Sequence, residues 1–223
     1  MADLMPTTPP TRTPAAPTAV PVASSRPYDP LKRALDLLVS AIGLVLALPF
    51  SLLVVLLILA EDGFPVFYTQ ARVGRRGRLF RVFKFRSMVK NAEALTGAVL
   101  AAKDDPRITR VGRLLRKTAM DELPQLLNIF LGQMSFVGPR PERPELVADI
   151  VARLPDFRLR EQIRPGLTGL AQVYGRYYTE PEDKLPYDLD YIARRSLPLD
   201  LHLFLRSWRI TSKASWDSDQ EAR

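Results

Sequence analysis

A run of 24 uncharged residues, Leu37 to Ala60, built mostly of Leu, Val, Ile and Ala, constrains this chain more than any other stretch. As a helix it would reach roughly 36 Å at ~1.5 Å per residue, enough for a hydrocarbon core of about 30 Å. Its length and uniformity exceed what a buried helix of a soluble domain needs, so a bilayer is its expected solvent. Pro49 falls at the midpoint, where it removes a backbone hydrogen bond and bends a helix. Each half is then too short to cross alone. Both flanks are basic, with Lys32 and Arg33 before and Arg72, Arg75, Arg76, Arg78 and Arg81 after. Orientation follows Lys/Arg bias, and here neither end is marked for export. Two topologies follow: a re-entrant helix broken at Pro49, or a kinked helix that crosses, since proline is tolerated in membrane helices.

The remaining composition narrows function by exclusion. Cysteine is absent, so disulfide and thiolate-metal chemistry are excluded, and the single histidine, His202, excludes a multi-histidine metal site. The formal charge of +8 calls for an anionic partner: nucleic acid, phospholipid headgroups or a phosphorylated substrate. Residues 1–30 hold eight of the twenty prolines among Thr, Ala and Ser, a composition expected to be disordered. They lack the basic start and apolar run of a secretory signal.

Beyond the apolar run, Phe64 to Met88 alternates aromatic, β-branched and basic residues around Gly74 and Gly77, which predicts a β-hairpin. Phe80, Val82 and Lys84 should share one face and Arg81, Phe83 and Phe85 the other. Residues from Lys90 to about Leu131 read as mainly helical, with a turn at Asp104-Asp105-Pro106. Within that region, adjacent acids Asp121-Glu122 stand between basic Arg113, Arg116 and Lys117 and apolar Leu123, Leu126 and Leu127. Cations on one side and an apolar wall on the other can hold a carboxylate ionised, as nucleophile or metal ligand. The same pair also suits the first turn of a helix, with Pro124 near its start. Arg140 stands in a stiff loop, Ser135-Phe-Val-Gly-Pro-Arg-Pro-Glu142, suited to recognising an oxyanion. Gly166, Gly169 and Gly175 form a second glycine-rich stretch whose amides could approach phosphate, ending at Arg176, although the spacing is not that of a P-loop. Leu197 to Ile210 reads as an amphipathic interfacial helix.

Taken in order, several strings resemble the bacterial sugar transferases, the small monotopic phosphoglycosyl transferases that start glycan assembly on a lipid carrier. They are Lys32-Arg-Ala-Leu-Asp36, Gly63-Phe-Pro-Val-Phe-Tyr-Thr-Gln70, Arg72-Val-Gly, Phe83-Lys-Phe-Arg-Ser-Met88 and Thr118-Ala-Met-Asp-Glu-Leu-Pro-Gln-Leu-Leu-Asn128. Further along stand Met134-Ser-Phe-Val-Gly-Pro-Arg-Pro-Glu142, Arg164-Pro-Gly-Leu-Thr-Gly-Leu-Ala-Gln-Val173, Tyr187-Asp188 and Ser196-Leu-Pro-Leu-Asp200. The chain departs from the usual pattern at Leu48, Ser87 and Tyr174.

The resemblance implies an α+β, mainly helical monotopic membrane protein with a re-entrant N-terminal helix broken at Pro49, a β-hairpin and interfacial amphipathic helices. It divides the chain into a disordered Pro-rich tail over 1–30, a re-entrant membrane helix over 31–62, a cytoplasmic-face catalytic domain over 63–212 and a polar tail over 213–223. It further implies transfer of a phosphosugar from a UDP-sugar to polyprenyl phosphate at the bacterial inner membrane, with Mg²⁺ and release of UMP. By likeness, Asp121 is the nucleophile and Glu122 its metal partner or base, both near the metal. Lys84, Arg86, Arg116, Arg140 and Arg176 are then phosphate-contact candidates, and Asp188 a polar site residue. Two other readings stand beside it: a non-catalytic membrane-anchored module recruiting anionic partners, and a nucleic-acid binder, which the apolar run disfavours.

Overall fold

The computed structural model describes residues 26–92, 105–175 and 180–212; of the tails expected over 1–30 and 213–223, residues 1–25 and 213–223 lie outside them. Helix α1 runs from Tyr28 to Asp62, with Pro49 inside it. It starts within the stretch assigned to the tail. Pro30 is tolerated there because the first-turn amides have no helical acceptor in any case.

One stripe of α1 packs on the rest of the molecule along its length. Asp36, Ser40, Val54 and Ile58 are buried, and Leu44 and Ala47 pack against a core of Val82, Leu126, Ile129 and Met134. The outer side is bare: Val45 is 71% exposed and Leu48 68%. Among the described residues α1 is the one helix long and apolar enough to cross a membrane.

Polar groups fasten both ends of α1 to the same body. At the N-terminal end, Tyr28 and Lys32 donate to Asp200, and Asp29 pairs with Arg195 at 3.0 Å. Arg33 donates to the carbonyls of Ile129 and Phe130 at 2.7 and 2.8 Å. Buried Asp36 accepts from Ser135 Oγ and Phe136 N. At the C-terminal end, the Glu61 carboxylate accepts from the amides of Arg110 and Val111 at 2.7 and 2.9 Å. The Arg86 guanidinium lies 2.8 Å from Asp62 Oδ2 and donates to the Gly63 carbonyl.

The predicted hairpin is present. Strands β1 (Phe67–Val73) and β2 (Leu79–Phe85) pair antiparallel, with Tyr68 opposite Lys84 and Arg72 opposite Phe80. The register puts Phe80, Val82 and Lys84 on one face. Of the helical stretch expected from Lys90 to Leu131, the described part holds α2 (Arg110–Lys117) and α3 (Gln125–Phe130), joined through a 3-10 turn at Met120–Glu122. Thr109 caps α2 by accepting from Gly112 N at 2.8 Å.

Strand β3 (Ser135–Val137) pairs in parallel with β4 (Gly166–Thr168), a sheet the sequence reading did not foresee. The other helices are α4 (Pro144–Arg153), α5 (Leu170–Tyr174), α6 (Pro181–Arg194) and α7 (Leu197–Ser212). The last matches the expected amphipathic helix. It buries Leu203 and leaves Leu201, Leu205 and Trp208 exposed.

The glycines of the 166–169 segment have a packing role rather than the phosphate-cradling one considered from sequence. Gly166 N donates to Pro139 O at 2.9 Å, and Gly138 N to Thr168 O at 2.9 Å. A Cβ on Gly166 would lie 2.1 Å from Gly138 N, and one on Gly169 would lie 2.2 Å from Gly138 O. Backbone meets backbone here, and the contact holds the segment leading into Arg140. Gly166→Ala should therefore destabilise the fold by about 3 kcal/mol or more, since no flexible side chain can yield. Thermal unfolding in detergent measures this, and an unchanged melting temperature would contradict the packing role.

Candidate active site

Four segments bring the site together. Strand β2 supplies Lys84, the end of α2 supplies Arg116, the 3-10 turn supplies Asp121 and Glu122, and the loop after β3 supplies Arg140. Ala119 makes the sharp turn between α2 and the acids, at φ 54° and ψ 19°, a left-handed conformation that costs a non-glycine residue.

Glu122 is clamped by two cations on one oxygen. Lys84 Nζ donates to Oε1 at 2.6 Å, and Arg140 donates to the same atom at 2.9 Å. Burial alone would raise the Glu122 pKa, but Lys84 and Arg140 outweigh it and hold the carboxyl well below its usual range. Asp121 is buried at 8% exposure, and its side chain accepts no hydrogen bond from a described residue. Burial pushes it up to about 6, with the Glu122 charge adding to the rise and Lys84, Arg116 and Arg140 opposing it. One acid of the pair is therefore ionised throughout, while its neighbour titrates near neutrality with its oxygens uncommitted.

Supporting residues fix these positions. Arg116 Nε donates to Ser87 Oγ at 2.9 Å. Asn128, fully buried, is the brace between β2 and α3. Its amide donates to Arg81 O at 2.7 Å and to Gln133 Oε1 at 2.7 Å, and its Oδ1 accepts from Phe83 N at 3.1 Å. It satisfies the side of β2 that β1 leaves unpaired, and so sets the distance from Lys84 to the acid pair. The sequence reading gave Asn128 no role; a polar residue inside Leu126-Leu127-Asn128-Ile129-Phe130 was the available signal.

Two residues expected in the site do other work. Arg86 is occupied at the end of α1, as described above. Asp188 is buried and paired with Arg160, whose Nε lies 2.9 Å and NH2 2.8 Å from Oδ2. Burial raises the Asp188 pKa against the pull of Arg160. Arg160 also donates to Arg140 O at 2.9 Å, so this ion pair holds the Arg140 loop from beneath. Pro49 lies exposed within α1 and far along the chain from the acids. Arg176 lies outside the described residues.

The family model for bacterial sugar transferases matches residues 27–214, which is most of the chain. The chain belongs to the bacterial sugar transferase family. The chain is 40% identical over 185 residues to the UDP-N-acetylgalactosamine-undecaprenyl-phosphate N-acetylgalactosaminephosphotransferase of Aeromonas hydrophila, covering 82% of the chain and 44% of that relative. It is 40% identical over 181 residues to the exopolysaccharide production protein PSS of Rhizobium leguminosarum, with 78% and 90% covered. Against the UDP-glucose:undecaprenyl-phosphate glucose-1-phosphate transferase of Caulobacter vibrioides it is 42% identical over 184 residues, with 80% and 68% covered. The chain thus spans less than half of the Aeromonas relative and most of the Rhizobium one.

The raised Asp121 pKa has a cost in stability. A carboxyl whose folded pKa exceeds its unfolded value adds stability that is fully present at acid pH and lost as pH rises through about 6. Asp121→Asn should therefore make the sugar transferase more stable above pH 7, by up to about 3 kcal/mol, and leave it unchanged near pH 3.5. Melting curves at the two pH values check this. A variant destabilised at both would mean that the carboxylate is held by bonds rather than strained by burial.

Proposed function

We propose that this sugar transferase is a phosphoglycosyl transferase that moves a sugar 1-phosphate from a UDP-sugar to polyprenyl phosphate. The observation that carries this reading is Asp121: a buried carboxylate that accepts no hydrogen bond from a described residue, beside an acid already neutralised by Lys84 and Arg140. A structural carboxylate in such a place would be paired. An unpaired one suits attack. An Asp121 oxygen attacks the sugar-linked phosphorus, a new O–P bond forms, and the bond to the nucleoside phosphate breaks, with its electrons leaving on UMP. Attack by the lipid phosphate oxygen on the same phosphorus then releases Asp121 and gives the lipid-linked diphosphosugar. The acceptor fits the relatives, whose names specify undecaprenyl phosphate.

Anions meet anions in both steps, so charge must be offset. Lys84, Arg116 and Arg140 act on the acid pair and are placed to bind the donor phosphates. The donor set fits Mg²⁺: two carboxylates on adjacent residues, with the Glu122 Oε2 oxygen uncommitted, and no group of three acidic or histidine ligands among the described residues. Mg²⁺ is commonly held by one or two carboxylates together with substrate phosphates, where it neutralises developing charge. Glu122 suits that contact better than it suits a base, because its lowered pKa leaves it a weak proton acceptor.

The attachment of both α1 ends to one body supports entry into the cytoplasmic face of the inner membrane from a single side. A crossing helix would place Asp29 and Glu61 on opposite faces, yet both bond residues of the same domain. Besides the bare apolar side of α1, Leu131 at the α3 end and Leu201, Leu205 and Trp208 of α7 also leave apolar side chains exposed. That surface would seat the domain at headgroup depth, where a soluble nucleotide and a lipid phosphate can both reach Asp121.

Purified protein should move label from radiolabelled UDP-sugars to polyprenyl phosphate, and Asp121→Asn or chelation should abolish transfer. In wild type, kcat/KM should rise as pH increases through about 6, because Asp121 must lose its proton to attack. A labelled phosphosugar adduct mapped to another residue would refute the mechanism. Since the chain has no cysteine, single cysteines at Ala34 and Thr69 report topology cleanly. Both should resist an impermeant reagent in intact cells and react after permeabilisation. Shielding of one alone would mean that α1 crosses.

A further inference from the structure

Arg72 is the charged side chain near the site that the reading above leaves without a task. It is carried by β1, where the register puts Tyr68, Gln70 and Arg72 on the hairpin face that presents Lys84. Its NH2 donates to Gln70 Oε1 at 2.6 Å. No carboxylate among the described residues lies within ion-pair distance of it. Next along the strand, Val73 N donates to Glu142 O at 3.0 Å, so the end of β1 is sewn to the loop that carries Arg140. Two like charges, Arg140 and Arg143, oppose the charge on Arg72, while Glu142 and Tyr68 support it. Burial disfavours its charge first, and these arginines add to that. A half-buried guanidinium beside two others, without a carboxylate of its own, is an electrostatic arrangement that an incoming anion would complete.

Arg140 bonds Glu122 and its charge also acts on Arg72, so the two guanidiniums belong to one electrostatic neighbourhood. We propose that Arg72 binds the phosphate on the nucleoside side of the donor, the one that departs as nucleoside monophosphate. This rests on the transferase reading and extends it. With the sugar-linked phosphorus at Asp121, a second phosphate reaches toward Arg72. As the bridging P–O bond breaks, negative charge grows on that departing phosphate, and the Arg72 N–H groups receive it. Gln70 holds the guanidinium in place as a positioning residue.

The test separates phosphate recognition from a structural role. Binding of uridine 5′-monophosphate and of uridine to the full-length protein in detergent is measured by calorimetry for wild type, Arg72→Gln and Arg72→Lys. Arg72→Gln should weaken the monophosphate about tenfold or more and leave uridine unchanged, and Arg72→Lys should restore part of the loss. The melting temperature, followed alongside, should stay within a few degrees of wild type. Equal weakening of nucleotide and nucleoside, or full-strength monophosphate binding by Arg72→Gln, would overturn the proposal, as would failure of wild type to bind the monophosphate. If wild type binds the monophosphate through Arg72 yet transfers no phosphosugar, the transferase reading fails while this subsite stands.

Discussion

The structure depends on one constraint: an apolar helix whose two polar ends are bonded to a single body. Asp29, Lys32, Arg33 and Asp36 fasten one end to α3, β3 and the α6–α7 region. Glu61 and Asp62 fasten the other to α2 and the end of β2. Between them the inner stripe of α1 packs on two clusters, and the outer side keeps bare leucine and valine. Exposed apolar surface on this scale is costly in water and favourable in lipid. Of the basic flanks that leave orientation open in the sequence, Lys32 and Arg33 are internal fasteners in the structure, while Arg75, Arg76, Arg78 and Arg81 stay exposed. The charges of Lys32 and Arg33 are spent on Asp200 and on the carbonyls at the end of α3 rather than on headgroups.

The two acids of the site are adjacent in sequence and opposite in environment. Glu122 reaches Lys84 and Arg140 and stays ionised, while Asp121 is buried, accepts no hydrogen bond from a described residue, and is pushed up to about 6. Placing unlike environments around like groups is how a fold assigns different tasks to two carboxylates. Here the separation is produced by a single left-handed residue, Ala119, and the 3-10 turn that follows it. A regular helix through residues 119–124 would present neighbouring side chains about 100° apart on one cylinder and would not divide them between a two-cation clamp and a buried, unclamped position in this way.

Legibility in the sequence followed the range of the physics. The hairpin and α7 rest on local periodicity and were readable over nearly their full length, whereas the apolar run foretold a helix but not that α1 would run as one helix from Tyr28 to Asp62 with Pro49 inside it, where a break was expected. Asp121, Glu122, Lys84, Arg116 and Arg140 gather in one place, as the family resemblance implied. What was not readable depends on partners far along the chain. Arg86 looks like a phosphate ligand until Asp62 and Gly63 are seen beside it. Asp188 looks like a site acid until Arg160 is found against it. The glycines near 166 look like a phosphate loop until Gly138 is seen to fill the space their missing side chains leave. The short parallel pair β3–β4 joins residues about thirty apart and has no periodic signal in three-residue strands.

Membrane depth and chemistry are joined through β2. Lys84 points to Glu122, and two residues later Arg86 grips the end of α1. On the far side of the acids, α3 ends in carbonyls held by Arg33 from the start of α1, and Asn128 within it ties the helix to Arg81 and Phe83 of β2. The acid pair is thus suspended between two attachments to the same helix, one near each end. Moving α1 relative to the domain would have to break the Arg86 or the Arg33 contacts, and either would shift an element that carries or braces the acids. Leaving a buried guanidinium such as Arg86 without its partner costs several kcal/mol on the usual scale for broken buried pairs. The helix that sets depth is therefore mechanically part of the site, which is why an anchor of this kind packs along the catalytic body instead of trailing from it on a linker.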